Sequence, residues 1–202
     1  MVAHRHPEER RRGAPPPAHA HADWHRAPLD QLCRHIVDHH HERTRDLLTR
    51  AQHILGEMVA GYPDRPELGE LKAMFEILED DLVRHMLVEE MVLFPYVDRL
   101  VATAAGRPVE DAPPTHAEGS VNVARNDHEN ATVLLAGIRR LADQLAARGD
   151  EDMTRMLEAL AQLEGDLDAH SGLEDNVLFP RLRELEELIE AAERPSRDTT
   201  GR

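Results

Sequence analysis

Cysteine is almost missing from this 202-residue chain: Cys33 is the only one. One thiol excludes an intramolecular disulfide and a thiolate zinc site, and fits a reducing compartment. Aromatic residues make up 3% of the chain, and no run alternates β-branched with polar residues, which argues against a sheet. No apolar stretch approaches the ~20 residues that span a bilayer, and the first residues lack the apolar segment of a secretory signal. The expected location is therefore the cytoplasm, with no membrane partner. Positive charge is scarce as well. Lys and Arg number 24 against 39 Asp and Glu, a net charge of −15 that argues against nucleic acid and is compatible with handling cations.

What is present is Leu, Ala, Glu and Arg, with 41% hydrophobic residues, enough for one all-α domain. Residues 1–27 are low in complexity (Arg, His, Pro, Ala) and are expected to form a disordered tail, as are residues 195–202. Between them, residues 28–194 hold four apolar-periodic segments. Helix A starts after Pro28, where Leu29, Leu32, Cys33, Ile36, Val37, Thr44 and Leu48 recur at helical spacing, and stops by Gly61. Helix B runs from Pro66 to about Thr103. The one long connection, Gly106–Glu118, contains three prolines. Helix C opens near Ser120 and ends at Arg148-Gly149, and Asp150 is placed to cap helix D, which lasts to about Arg194-Pro195. The short A–B and C–D connections make antiparallel hairpins, and hence an up-down-up-down four-helix bundle. Pro95 and Pro180 each follow Leu-Phe inside a helix and predict a shared bend.

The chemistry lies in a repetition. His85-x3-Glu89, in HMLVEEMVLFP, returns as His170-x3-Glu174, in HSGLEDNVLFP, 85 residues on (170 − 85 and 174 − 89). Residues four apart share a helix face, so each copy aims an imidazole and a carboxylate at one target. Leu78, Leu82, Val92 and Leu93 fall on that stripe in the first copy, and Leu163, Leu167, Val177 and Leu178 in the second. Such a stripe faces a core, where a bare carboxylate costs several kcal/mol unless it is paired or holds a metal. The repeat extends to the other helices: His41-Glu42 precedes Leu47-Leu48 as His128-Glu129 precedes Leu134-Leu135. The chain is thus one helical hairpin duplicated, and the match selects His41 from the run His39-His40-His41.

Four imidazoles and two carboxylates exceed the needs of one ion. They suit two first-row metals sharing Glu89 and Glu174 as bridges, with two histidines on each. Mixed imidazole and carboxylate ligands without thiolate favour iron, then manganese, then zinc. An oxo or hydroxo bridge would add a ligand and leave one position per iron open to small molecules. A lone His-x3-Glu is more often a surface pair; the repetition in register is what counts against that. Asp81 and Asp166, four residues before His85 and His170, are candidates to accept the second ring N–H of a ligating histidine on a neighbouring helix, with a solvated acid as the alternative. Cys33 reads as a small core residue. His4, His6, His19, His21 and His25 lack fixed geometry, and the sequence pattern assigns no role to His35 or His116.

These residues resemble the hemerythrin-like HHE proteins, and within them the family that repairs iron centres. The resemblance runs from about Leu29 to Leu185 and is carried by HMLVEEMVLFP, NDHENA around His128, HSGLEDNVLFPRL, and RHIVDHHHERTRDLL around His41. Oxygen-carrying hemerythrins have a second His one turn after the helix C ligand and an Asp five residues after the last His. Here Thr132 holds the first position, and Glu174 follows His170 by four. The resemblance implies a four-helix bundle around a non-haem di-iron centre, with His41, His85, His128 and His170 as ligands and Glu89 and Glu174 as bridges. It also implies a role in restoring iron–sulfur clusters damaged by nitric oxide or peroxide, with damaged iron–sulfur proteins as partners and NO or O2 meeting the irons. Many members carry a cysteine-containing N-terminal domain, to which nothing in residues 1–27 corresponds, and often a His near the end of helix A, where Tyr62 stands. The rival expectation is a di-iron module that senses or reversibly binds O2 or NO.

Overall fold

In the computed structural model, which describes residues 23–109, 116–146 and 151–194, four long helical rods form the bundle. Rod A consists of α1 (Leu29–His35), a wide turn at Ile36–His41 and α2 (Glu42–Gly61). Rod B is α3 (Pro66–Val88), a wide turn at Glu89–Leu93 and α4 (Phe94–Ala104). Rod C is the unbroken α5 (Glu118–Ala146). Rod D is α6 (Glu151–Leu173), a wide turn at Glu174–Leu178 and α7 (Phe179–Glu193). A packs on B and D, and C packs on the same two, closing a square. The expected cap at Asp150, the end of helix C at Arg148-Gly149, most of the N-terminal tail and the C-terminal tail lie outside the described residues.

The prolines act differently from the expected bend. Each wide turn is π-helical, with the amide of residue i reaching the carbonyl five back: Glu42 to Val37, Phe94 to Glu89, Phe179 to Glu174. In a plain α-helix the Pro95 ring would press on the carbonyl of Met91 and leave it without a donor. A π turn just upstream, common at functional sites, lets the rod continue instead. Both Leu-Phe-Pro runs are accommodated this way, and α4 and α7 open with proline in the first turn. Val92, placed on the inward stripe by its spacing, is 52% exposed, whereas Leu93 and the second-copy Val177 and Leu178 are buried.

The apolar interior is divided in two. One part gathers Leu48, Leu55, Met58, Leu71, Phe75 and Leu160, among others, towards the A–B hairpin end. The other gathers Leu32, Ile36, Val97, Leu178 and Phe179 at the opposite end. Cys33 belongs to the second part; it is buried, and that burial pushes its thiol pKa up, so it is an unreactive core residue. Between the two parts lies a layer of buried polar side chains. His41, His85, Glu89, His170 and Glu174 are each 3% exposed or less, and there the wide turns of A, B and D meet.

Candidate metal centre

The six donors named from the sequence converge in that layer. They fall into two groups, His41, Glu89, His170, Glu174 and His85, Glu89, His128, Glu174, each with one ligating atom per residue, all within 4.8 Å of one another. Both carboxylates belong to both groups. Nε2 of His41 lies 3.2 Å from Nε2 of His170, and Nε2 of His85 lies 3.2 Å from Nε2 of His128. Glu89 Oε2 stands 3.3 Å from Nε2 of both His41 and His85. Glu174 reaches His170 at 3.0 Å through Oε1 and His128 at 3.0 Å through Oε2.

Local structure explains the convergence. His85 and Glu89 are one turn apart on B, as are His170 and Glu174 on D, and each glutamate opens a π turn. Phe94, held before Pro95, stacks on the His41 ring at 5.8 Å, and its counterpart Phe179 stacks on His128 at 6.5 Å. The repeated Leu-Phe-Pro run thus fixes a ligand on the neighbouring rod in each half.

The electrostatics suit a cation. Burial is the first cause lowering the pKa of His41 to about 4 and of His85 to about 3, so both rings are neutral donors at neutral pH. Burial and the adjacent Glu174 raise Glu89. Burial pushes Glu174 upward too, but His170 and His128 outweigh it and hold this carboxylate low. His128, though burial opposes its charge, is raised by Glu174 and Asp175. Neither oxygen of Glu89, nor Oε2 of Glu174, has a hydrogen bond of acceptable geometry. Buried acceptors of this kind cost about 1–3 kcal/mol each, more when charged. Two facing pairs of imidazole nitrogens, each 3.2 Å apart, point into the same layer. A pair of divalent ions between them would satisfy every one of these atoms, so the residues fit a dinuclear centre.

The outer ends of the rings differ from expectation. Asp81 turns to the surface: it is 40% exposed and pairs with Arg84 at 2.5 Å. Asp166 is buried, but it accepts from Thr44 at 3.0 Å and meets Nδ1 of His40 at 3.2 Å, not a donor-set ring. The acids that do face Nδ1 went unnoticed in the sequence. Glu90 lies 2.7 Å from His41, Asp175 3.4 Å from His128 and Asp127 3.6 Å from His85. Glu90 and Asp175 occupy the same repeat position, the residue after each bridging glutamate, and that correspondence is the signal that could have found them.

One side of the centre is open. A cavity of about 240 Å³ is lined by His85, His128, His170 and, farther out, Thr132, Leu135, Ser171, Asp168 and Glu164. Thr132 turns its hydroxyl to the His128 carbonyl at 2.9 Å, leaving that space clear.

Fold and site together define a class: a duplicated four-helix bundle holding a dinuclear centre of histidine and shared carboxylate. Comparison with known proteins agrees. The family model described as the hemerythrin HHE cation binding domain matches residues 34–120 and again 119–198, one match per half. The chain is 34% identical over 167 residues to the iron-sulfur cluster repair protein YtfE of Edwardsiella ictaluri, covering 80% of this chain and 69% of that protein. To YtfE of Escherichia coli it is 28% identical over 162 residues, covering 79% and 68%. The chain belongs to the hemerythrin HHE cation-binding family, and within it to the iron–sulfur cluster repair group. A domain of this class binds a di-iron centre. Among the described residues, no helix is long and apolar enough to cross a membrane.

Proposed function

We propose that His41, His85, His128 and His170 ligate two irons bridged by Glu89 and Glu174, and that the protein acts in iron–sulfur cluster repair under nitric oxide or oxidative stress. The observation that carries this reading is the sharing of two buried, hydrogen-bond-starved carboxylates between two pairs of facing imidazole nitrogens. Iron supplies redox change and open coordination positions; the protein supplies neutral rings at His41 and His85, a buried donor layer and the cavity beside His85 and His128 through which a small molecule reaches the centre. The YtfE relatives carry the repair function in their names, and damaged iron–sulfur proteins in the cytoplasm are the partners this reading implies.

The test is metal analysis of the purified chain. Wild type should carry two irons, and Glu89→Ala or Glu174→Ala should lose most of the iron. Equal iron in the variants and wild type removes the proposal. The cavity favours a second reading, reversible binding of NO or O2 in a sensing role. Anaerobic mixing of the reduced protein with nitric oxide separates the two: nitrous oxide formed in proportion marks chemistry, and a stable, reversible nitrosyl marks sensing.

A further inference from the structure

Trp24, His35 and His40 lie outside the donor set, and the duplication does not demand them, since His35 and His40 correspond to Asn122 and Asp127 in the second half, 87 residues on as His128 is from His41. Their rings nonetheless form a continuous file. The Trp24 indole stacks on His35 with centroids 4.4 Å apart and planes inclined 26°. His35 meets the edge of His40 at 5.6 Å. His40 in turn stacks on His170 at 5.8 Å and 18°. Both ends are anchored. Arg181 donates to the Trp24 carbonyl at 2.6 Å, and Asp166, itself held by Thr44, lies 3.2 Å from His40 Nδ1.

Indole gives up an electron far more readily than imidazole, so the two histidines are a bridge and the tryptophan is the terminus. We propose that Trp24 is an oxidation site coupled through His35, His40 and His170 to the metal centre, which draws oxidising equivalents away from the buried ligands. This inference rests on the di-iron reading above. With hydrogen peroxide as oxidant, breaking its O–O bond takes two electrons and two protons and gives two waters. The indole supplies both electrons in two one-electron steps, loses two protons and takes up one water as a new C–O bond. The net change is peroxide plus tryptophan to hydroxytryptophan plus water.

Trp24 is the only tryptophan, so both its fluorescence and its peptide report on one residue. The full chain is loaded with iron or with zinc, treated with equimolar peroxide, and analysed for added oxygen by peptide mass, with metal content measured alongside. The expected result is one added oxygen on Trp24 in the iron form and none in the zinc form. His40→Leu should reduce that yield severalfold at unchanged iron content, while His40→Phe, which keeps a ring in place, retains it. His35→Leu interrupts the file one step farther from the centre and should produce the same loss. Intact Trp24 in the iron form, or equal yields in wild type and both leucine variants, overturns the inference while leaving the di-iron reading standing. A wild-type chain that binds no iron overturns both.

Discussion

Nδ1 of His41 stands 2.7 Å from Oε1 of Glu90, and Arg45 grips the same oxygen at 2.6 Å. On the proposed ligation the carboxylate accepts the Nδ1–H hydrogen bond, which leaves Nε2 as the metal-facing lone pair and fixes the ring. In the other half Asp175 stands 3.4 Å from His128, is 36% exposed, and is backed by Arg125 at 3.2 Å. On the proposed ligand assignment the two metal positions are therefore held unequally. The position served by His85 and His128 has the longer contacts and also borders the cavity.

Chelator competition on the iron-loaded protein should accordingly release iron in two phases. Glu90→Gln should weaken the tighter position by about 10–100-fold, the usual effect of losing such a support, and bring the phases together. Asp175→Asn should chiefly hasten the phase that is already fast. A single phase in wild type, or identical effects of the two variants, contradicts the inequality.

Much of this was legible in the sequence, for a physical reason. A donor pair four apart on an apolar stripe has one orientation available in a bundle, and its repetition 85 residues later ties two helices to one target. The π turns were not legible, because one extra residue in a rod barely disturbs an apolar period of 3.6. Two residues of the turn at Glu89–Leu93 were misread or went unread. Val92 was expected inward and points out. Glu90, rotated by about 100° from Glu89 on a regular helix, went unnoticed; it lies within the wide turn and reaches His41 on the adjacent rod. Proline marked two of the three π turns after the fact; the one at Ile36–His41 has no such marker.

Asp81 and Asp166 occupy equivalent repeat positions, yet their structural settings predict unequal outcomes. Asp81→Ala removes an exposed pair with Arg84 and should change stability by no more than about 0.5 kcal/mol. Asp166→Ala leaves the buried Thr44 hydroxyl without its acceptor and should cost about 1–3 kcal/mol. Denaturant midpoints of the two variants check this; equal midpoints would contradict it.

Acid should destabilise the metal-free protein from a pH above the range where ordinary exposed carboxylates titrate. His41 and His85 are depressed to about 4 and about 3 by burial, while in the unfolded chain each protonates near 6.5. Below 6.5 the unfolded chain therefore binds protons that the folded one refuses. Stability present above 6.5 is lost as pH falls towards 4 for His41 and 3 for His85. Glu89 acts in the opposite sense: its raised pKa favours the folded state at low pH, and that contribution is lost as pH rises through the folded value. Thermal melts from pH 7.5 downward should show Tm falling from about pH 6.5, and His41→Asn with His85→Asn should flatten that limb. A Tm unchanged down to pH 4.5 would refute the assignment.

Glu186 is a buried carboxylate with a purely structural task. It accepts the Tyr96 hydroxyl at 2.5 Å and the Ala117 amide at 2.7 Å, and so ties α4, α7 and the end of the long connection into one corner. Tyr96 keeps its proton firmly, because burial and the facing carboxylate both raise its pKa. Tyr96→Phe preserves the packing of the ring but leaves the carboxylate one donor short, at a cost of about 1–3 kcal/mol. Glu186→Ala strands both donors and opens a cavity, so its cost should be larger. Tyr96 belongs to the apolar end of the bundle beyond the donor layer, and Glu186 is bound to it there, so iron content should stay at the wild-type level in each variant while the denaturant midpoint falls. Loss of iron in Tyr96→Phe would mean that this corner positions the metal ligands as well as the chain crossing.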